Sequence, residues 1–264
     1  MHILSIDSTT KQLSVIISIG AEVASKISRK SDRNCMEMII SDIDDALKRD
    51  GISIKEIDAL GVNLGPGDFT ATRIGISIMK TLSWVLDKPV YGINALDIFA
   101  SGITSGYQDF ISSNISSNIP VVIAPCLDVR KGEIYYCLYN ITDTGRGDNN
   151  IANILLNSKL YKIDKISGRH LVKADDLFND LIKNLKKAIS GTDTRIIFGG
   201  NGTESYGKIF SAFTADDERY LLDKNNIFPM PESLSLCVSH CIENITKPEK
   251  INPVYVREFI PFGK

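Results

Sequence analysis

No apolar run in this sequence approaches the ~18 residues needed to cross a bilayer, so a membrane-spanning protein is not expected. The opening stretch "MHILSID" has neither a basic n-region nor a cleavage site. It reads as no secretory leader, and the expectation is a cytoplasmic protein. A charge excess of one sign is also missing. The 30 Lys and Arg residues face 32 Asp and Glu, leaving a net charge of −2 and a pI of about 6.0. That argues against tight nucleic-acid binding by this chain alone. Cysteine is scarce: Cys35, Cys126, Cys137, Cys237 and Cys241 make an odd count with no CxxC pair. They read as small buried hydrophobes in a reducing compartment. Cys237, His240 and Cys241 share one helix-like stretch and could supply two or three metal ligands. No partner pair appears elsewhere, so packing is the expected role, and no metal or cofactor is predicted.

What is present is ordinary for a globular protein: 264 residues, 43% hydrophobic and 23% charged. That length can build a sizeable core, as one domain or two small ones. "HILSID" is a short apolar run ending in Asp7. "LSVIISIG" alternates Leu13, Val15, Ile17 and Ile19 with smaller or polar residues, and Gly20 turns the chain into "EVASKIS". The pattern predicts a strand, then a hairpin. "NCMEMIISDIDDALKRDG" places Met36, Ile39, Ile40, Ile43 and Leu47 at helical spacing, with Asn34 as N-cap and Gly51 beyond the end. Ile57–Leu64 is an apolar strand, and Thr70–Leu86 a helix with Ile74, Ile78, Leu82 and Val85 on one face. "KPVYGI" and "NALDIFASGI" complete a β-β-β-α-β-α-β-α half over residues 1–104. The polar stretch 105–119, containing "SSNISSN" from Ser112 to Asn118, reads as a linker or loop.

A second half, residues 120–264, opens with the strands "VVIAPCLD" and "GEIYYCLYN" and a turn "TDTGRGDNN". The amphipathic helix Asp175–Ile189, the strand "RIIFGG" and a helix from Pro231 through Asn244 follow. The carboxyl-terminal piece is expected to pack back. Two similar α/β halves suggest a duplicated architecture. Three turns fall where such a fold would hold phosphates: Asp7-Ser8-Thr9, Asp128 to Gly132, and Gly199-Gly200-Asn201-Gly202. Glycine in such turns lets backbone N–H groups approach a phosphate closely. The order resembles the actin, sugar kinase and Hsp70 superfamily, so the expected fold is actin-like, ribonuclease H-like and two-lobed. The first turn lacks its glycine, and a β-carbon there would crowd a phosphate.

The segments "ILSIDST…LSVIIS", "EIDALGVNLGPGDFTATRIGIS", "KPVYGINALD", "LDVRKGEIYYCLY", "FGGNG" and "PVYVR" follow one another as in the TsaB (YeaZ) family. The chain resembles that family over nearly its whole length. The most specific part is Gly65–Gly75, where the family usually reads Gly-Pro-Gly-Ser-Phe-Thr-Gly-(Leu/Val)-Arg-Ile-Gly. Here Asp68 replaces the serine and Ala71 a glycine, and Asn34 and Cys35 stand where the family usually has a histidine.

The resemblance implies a non-catalytic accessory subunit for threonylcarbamoyladenosine synthesis in tRNA. It implies a catalytic paralogue, TsaD, and an ATPase, TsaE, as partners, a homodimer without them, and tRNA met only through the complex. The catalytic paralogue holds a metal through a histidine pair, whereas His2, His170 and His240 are far apart and form no HxxxH pair. Fixed ligands are what metal-assisted acyl transfer requires. The alternative is an actin-like ATP-dependent phosphotransferase using the three turns; a metallopeptidase is disfavoured by the same missing pair.

Gly65-Pro66-Gly67 is expected to turn tightly from a strand into a helix whose free N–H groups Asp68 or Thr70 caps. Ala71, Gly75 and Ser77 keep parts of that helix low. The expected partner interface is Met36, Ile39, Ile40 and Ile43 on the first helix, with Gly65, Pro66, Gly67, Phe69, Thr70, Arg73, Ile74, Gly75 and Ile78 on the second. Arg73 would bind an anion or a surface carboxylate.

Overall fold

The computed structural model describes residues 1–20, 22–30, 35–143, 150–157, 159–189, 193–215, 217–241 and 248–256, with Cys35 and Met36 described in backbone only. Asn34 and most of the "TDTGRGDNN" turn lie outside the described residues, as does the chain beyond Cys241 that was read as helix through Asn244. The first half runs β1 (His2–Asp7), β2 (Gln12–Ile19), β3 (Glu22–Lys30), α1 (Cys35–Asp50), β4 (Ile57–Asn63), α2 (Phe69–Leu86), β5 (Val90–Ile93) and α3 (Ala95–Gly106). Helix α4 (Gln108–Ser116) follows. The second half runs β6 (Val121–Asp128), β7 (Glu133–Tyr136), β8 (Tyr139–Asp143), β9 (Asn150–Leu156), β10 (Lys159–Lys165), β11 (His170–Lys173), α5 (Leu177–Ala188), β12 (Arg195–Gly199), α6 (Asn201–Ser205), α7 (Gly207–Thr214), β13 (Tyr220–Leu222) and α8 (Pro231–Cys241).

The two halves repeat one topology. In the first sheet the order is β3-β2-β1-β4-β5. β1, β2 and β3 are antiparallel neighbours, while β4 and β5 run parallel to β1. In the second sheet β6 takes the place of β1, with β7 and β8 antiparallel on one side and β12 then β13 parallel on the other. Each parallel crossover is bridged by a helix, as a βαβ connection requires. β1 and β4 are buried on nearly every residue because helices cover both faces of the sheet.

The sequence reading did not foresee the strands β9, β10, β11 and β13, and two further segments differ from it. "GEIYYCLYN" is two strands rather than one. At the break, the Leu138 N–H donates to Ser167 Oγ at 3.0 Å, and the pairing partner changes from β11 to β10. The polar stretch from Ser112 is helical as far as Ser116. Its hydroxyls and amides fold onto the backbone one turn back, Ser116 Oγ donating to Ser112 O at 2.7 Å and Asn114 Nδ2 to Phe110 O at 2.8 Å. The fully buried Ile111 pins α4 to the core, so composition alone misread a helix as a loop.

The halves also exchange helices. α8, from the second half, packs on the first sheet: a Cβ on Gly61 of β4 would lie 2.5 Å from Val238 Cγ2. α3, from the first half, packs on the second sheet: a Cβ on Gly199 would lie 2.6 Å from Ile103 Cδ1. Asp97 of α3 ties the exchange down. Its carboxylate accepts from Tyr139 Oη at 2.5 Å and Arg169 Nη2 at 2.9 Å. Burial and the Asp97 charge hold the Tyr139 hydroxyl well above its ordinary range. The segment after α8 returns to α2, where Val254 N donates to Leu64 O at 2.8 Å and Lys80 Nζ to Ile251 O at 3.3 Å.

Candidate functional site

The β1–β2 turn is closed by its own side chains. Asp7 Oδ1 accepts from Thr9 N at 2.9 Å and Thr9 Oγ1 at 2.8 Å, and Oδ2 accepts from Asn63 Nδ2 at 2.9 Å. Burial raises the Asp7 carboxyl above its ordinary value, against the pull of the donors from Asn63 and Thr9. The Asn63 amide carries the network onward, its Oδ1 accepting from Gly65 N at 2.9 Å. The first candidate phosphate turn and the Gly65-Pro66-Gly67 turn are therefore one hydrogen-bonded structure, buried at Asp7, Thr9, Asn63 and Gly65. A Cβ on Gly67 would lie 2.2 Å from Thr9 O, and Asp68 N donates to that same oxygen at 2.7 Å.

The second and third turns also meet each other. Asp128 N donates to Asn201 Oδ1 at 3.0 Å, while the Asp128 carboxylate accepts from Arg130 N at 2.7 Å and Tyr206 Oη at 3.2 Å. Gly200 has φ +94°, and a Cβ there would stand 2.6 Å from Cys126 O. Gly202 has the same neighbour, a Cβ there standing 2.7 Å from Cys126 O, so both glycines admit the end of β6.

α2 begins as its sequence predicts. Asp68 Oδ1 accepts from Thr70 N at 3.1 Å and Ala71 N at 2.9 Å, satisfying two of the free N–H groups at the helix start. The buried stripe is Thr72, Gly75, Ile76, Met79 and Ser83. Of the expected Ile74, Ile78, Leu82, Val85 face, the first three are half-buried against the same core and only Val85, 75% exposed, leaves it. Gly75 faces inward onto Ser8, and Gly65 is buried as well, so neither presents itself to a partner. On α1, Ile39 and Ile43 belong to the core under the first sheet, while Ile40 is 55% exposed. The Met36 side chain lies outside the described residues.

The outward side of α2 mixes Thr70, Arg73, Ser77 and Thr81 with exposed apolar side chains. Phe69, Trp84 and Val85 are exposed, and Phe69, Thr70, Arg73, Ile74, Ser77 and Ile78 line a shallow groove of about 290 Å³. The Arg73 guanidinium lies 3.8 Å from the Phe69 ring centre and 5.5 Å from that of Tyr255, and its Nε donates to Tyr255 Oη at 2.8 Å. The sequence reading missed Trp84 and Tyr255. Trp84 stood in the right register, since 70, 73, 77, 81 and 84 trace one helical face opposite the buried stripe. Tyr255 had no local signal, because only tertiary folding brings it to Arg73.

The family profile described as "TsaD: tRNA N6-adenosine threonylcarbamoyltransferase" matches residues 22–242. The chain belongs to that family. The tRNA threonylcarbamoyladenosine biosynthesis protein TsaB of Escherichia coli is 29% identical over 145 residues, 55% of this chain and 58% of that protein. Its Bacillus subtilis counterpart is 25% identical over 143 residues, 53% of this chain and 55% of that protein. The chain thus spans a little over half the length of the curated TsaB relatives it matches. YeaZ from Pseudomonas aeruginosa superposes with a TM-score of 0.67 at 18% identity, covering 97% of this chain and 99% of that one. At that identity the likeness shows the fold, a duplicated two-lobed α/β architecture. Among the described residues no helix is long and apolar enough to cross a membrane.

Proposed function

We propose that this chain is a non-catalytic scaffold subunit in the synthesis of threonylcarbamoyladenosine, the modification of the tRNA adenosine just 3′ of the anticodon. Its partner is the TsaD-type catalytic paralogue, with the TsaE-type ATPase joining the assembly and tRNA engaged only through the complex. Without the paralogue, the same helices pair two copies of the chain. The observation that carries this reading is the outward face of α2, where Phe69, Trp84 and Val85 stand exposed beside the Phe69–Ile78 groove. Ile40 of α1 and Thr70, Arg73, Ile74 and Ile78 of α2 extend that face. The catalytic alternative is weakened by the first turn, where the Asp7 carboxylate is occupied by Thr9 and Asn63 and a serine replaces the expected glycine.

Co-purification of the full chain with the TsaD-type subunit of the same organism tests the reading, together with reconstituted tRNA modification. The expected result is a stable complex and modification that needs both subunits. Modification of tRNA by this chain alone, or no association with the paralogue, would overturn it.

A further inference from the structure

The carboxyl-terminal segment reaches the outward face of α2 at one point, and that point holds the groove's one charged side chain. Arg73 is held by two aromatic residues: its guanidinium lies over the Phe69 ring and near the Tyr255 ring, and its Nε donates to the Tyr255 hydroxyl. Phe69 and Tyr255 are themselves 5.9 Å apart between ring centres, so the cation sits in an aromatic cleft. Val254 is held in turn by its N–H to Leu64 O, which sets Tyr255 in place. Among the described residues the forked Nη end of Arg73 has no hydrogen-bond partner. A surface arginine ordinarily spends side-chain entropy to meet an anion; here the ordering has been done within the chain. A planar guanidinium held in this way presents two parallel donors, the geometry that a carboxylate accepts.

We infer that Arg73 is the polar anchor of a composite docking surface built from α2 and the segment Ile251–Val256, and that it receives a carboxylate from the partner subunit. The inference rests on the scaffold reading above and names the chemistry of the partner's surface. The groove beside Arg73 is lined by Ile74, Ile78 and the Phe69 ring, with Thr70 and Ser77 as its uncharged polar members. Its occupant is therefore a helix of the paralogue that presents an aliphatic side chain with a carboxylate about one turn away. A cation beside a largely apolar groove suits such a pair: the aliphatic group excludes water, and the ion pair gains strength as it is desolvated. Tyr255 acts through Arg73 as a positioning residue.

The test compares wild type, Arg73→Lys, Arg73→Gln and Tyr255→Phe in the full chain, measuring affinity for the TsaD-type paralogue by calorimetry at several salt concentrations. Melting temperature serves as the fold control. Arg73→Lys keeps the charge and loses the fork, and is expected to weaken binding by roughly tenfold or more. Arg73→Gln should weaken it at least as much and flatten the salt dependence. Tyr255→Phe should produce a smaller loss, with melting unchanged. If wild type does not bind the paralogue, the scaffold reading fails, and this inference with it. If wild type binds and Arg73→Lys binds equally well, the scaffold reading stands and the carboxylate anchor is overturned. Variants that alter only self-association of the chain would overturn it too, since the occupant would then be a second copy.

Discussion

Gly75 of α2 stands against Ser8 of the first turn so closely that a Cβ on Gly75 would lie 2.3 Å from Ser8 Oγ. Ser8 Oγ in turn donates to Ala71 O at 2.8 Å, one helical turn earlier. The glycine that looked like a place for a partner helix is the place where α2 settles onto β1. A Gly in mid-helix costs roughly 1 kcal/mol relative to Ala, and the close approach to Ser8 is the compensation.

Gly75→Leu should therefore destabilise the fold before it touches any interface. Overpacking costs roughly 1–3 kcal/mol, so the melting temperature should fall clearly. In a Ser8→Ala background the hydroxyl is gone, and adding Gly75→Ala should cost far less than it does in wild type. Denaturant unfolding of the four proteins in this cycle checks the pair. Additive effects would mean that the two residues do not touch.

Asp7 predicts a pH dependence. Burial raises its carboxyl above the ordinary 3.8, so the native state holds this proton more tightly than the unfolded chain does. The sign follows: stability from this site is present below pH 3.8 and is lost as pH rises through the higher native value. Asp7→Asn removes that slope, although the new amide meets the Asn63 donor and lowers stability at every pH. Unfolding free energies of both proteins across the acidic range should converge as pH rises. Parallel curves would show that Asp7 does not titrate abnormally.

The Asp97 clamp between the halves should be sensitive to its donors. Tyr139→Phe deletes the 2.5 Å bond and leaves the carboxylate with Arg169 as its remaining cross-half donor. A buried acceptor that loses a partner costs about 1–3 kcal/mol. Urea unfolding should show that loss; a change below about 0.5 kcal/mol, the range of an ordinary surface substitution, would mean that the clamp carries little of the contact between the halves.

Trp84 is the chain's single tryptophan and is 85% exposed. The free chain should therefore emit at the long wavelength of a hydrated indole. Docking of the paralogue on α2 should shift the emission to the blue and reduce quenching by iodide. Trp84→Ala should leave stability within about 0.5 kcal/mol while weakening docking. Unchanged emission in a stable complex would place the partner elsewhere.

The first half's element order was legible because its signals are local. Alternation in "LSVIISI", the Asp68 cap and the apolar strand Ile57–Asn63 are properties of neighbouring residues, and the sequence alone determined them. The inward stripe of α2 was not legible. That helix is apolar on more than one side: Ile76 and Met79 are buried while Ile74, Ile78 and Leu82 are half-buried against the same core, and periodicity cannot rank the two sets. The choice fell to shape, because only Gly75 is low enough to pass Ser8.

Long-range contacts were equally hidden. Asp7, Thr9 and Asn63 are 56 positions apart at most, and the turn they share exists only once β1 and β4 lie side by side. Arg73 and Tyr255 are 182 positions apart, and their contact depends on the chain's return from α8 to the first half. The sequence by itself determined the first half's strands, the start of α2 and the duplicated order, because these follow from short-range propensity and capping. Tertiary structure alone decided which glycines are packed, which aromatic side chains remain exposed and where an arginine is held ready, because each depends on the distance between residues that the chain order keeps apart.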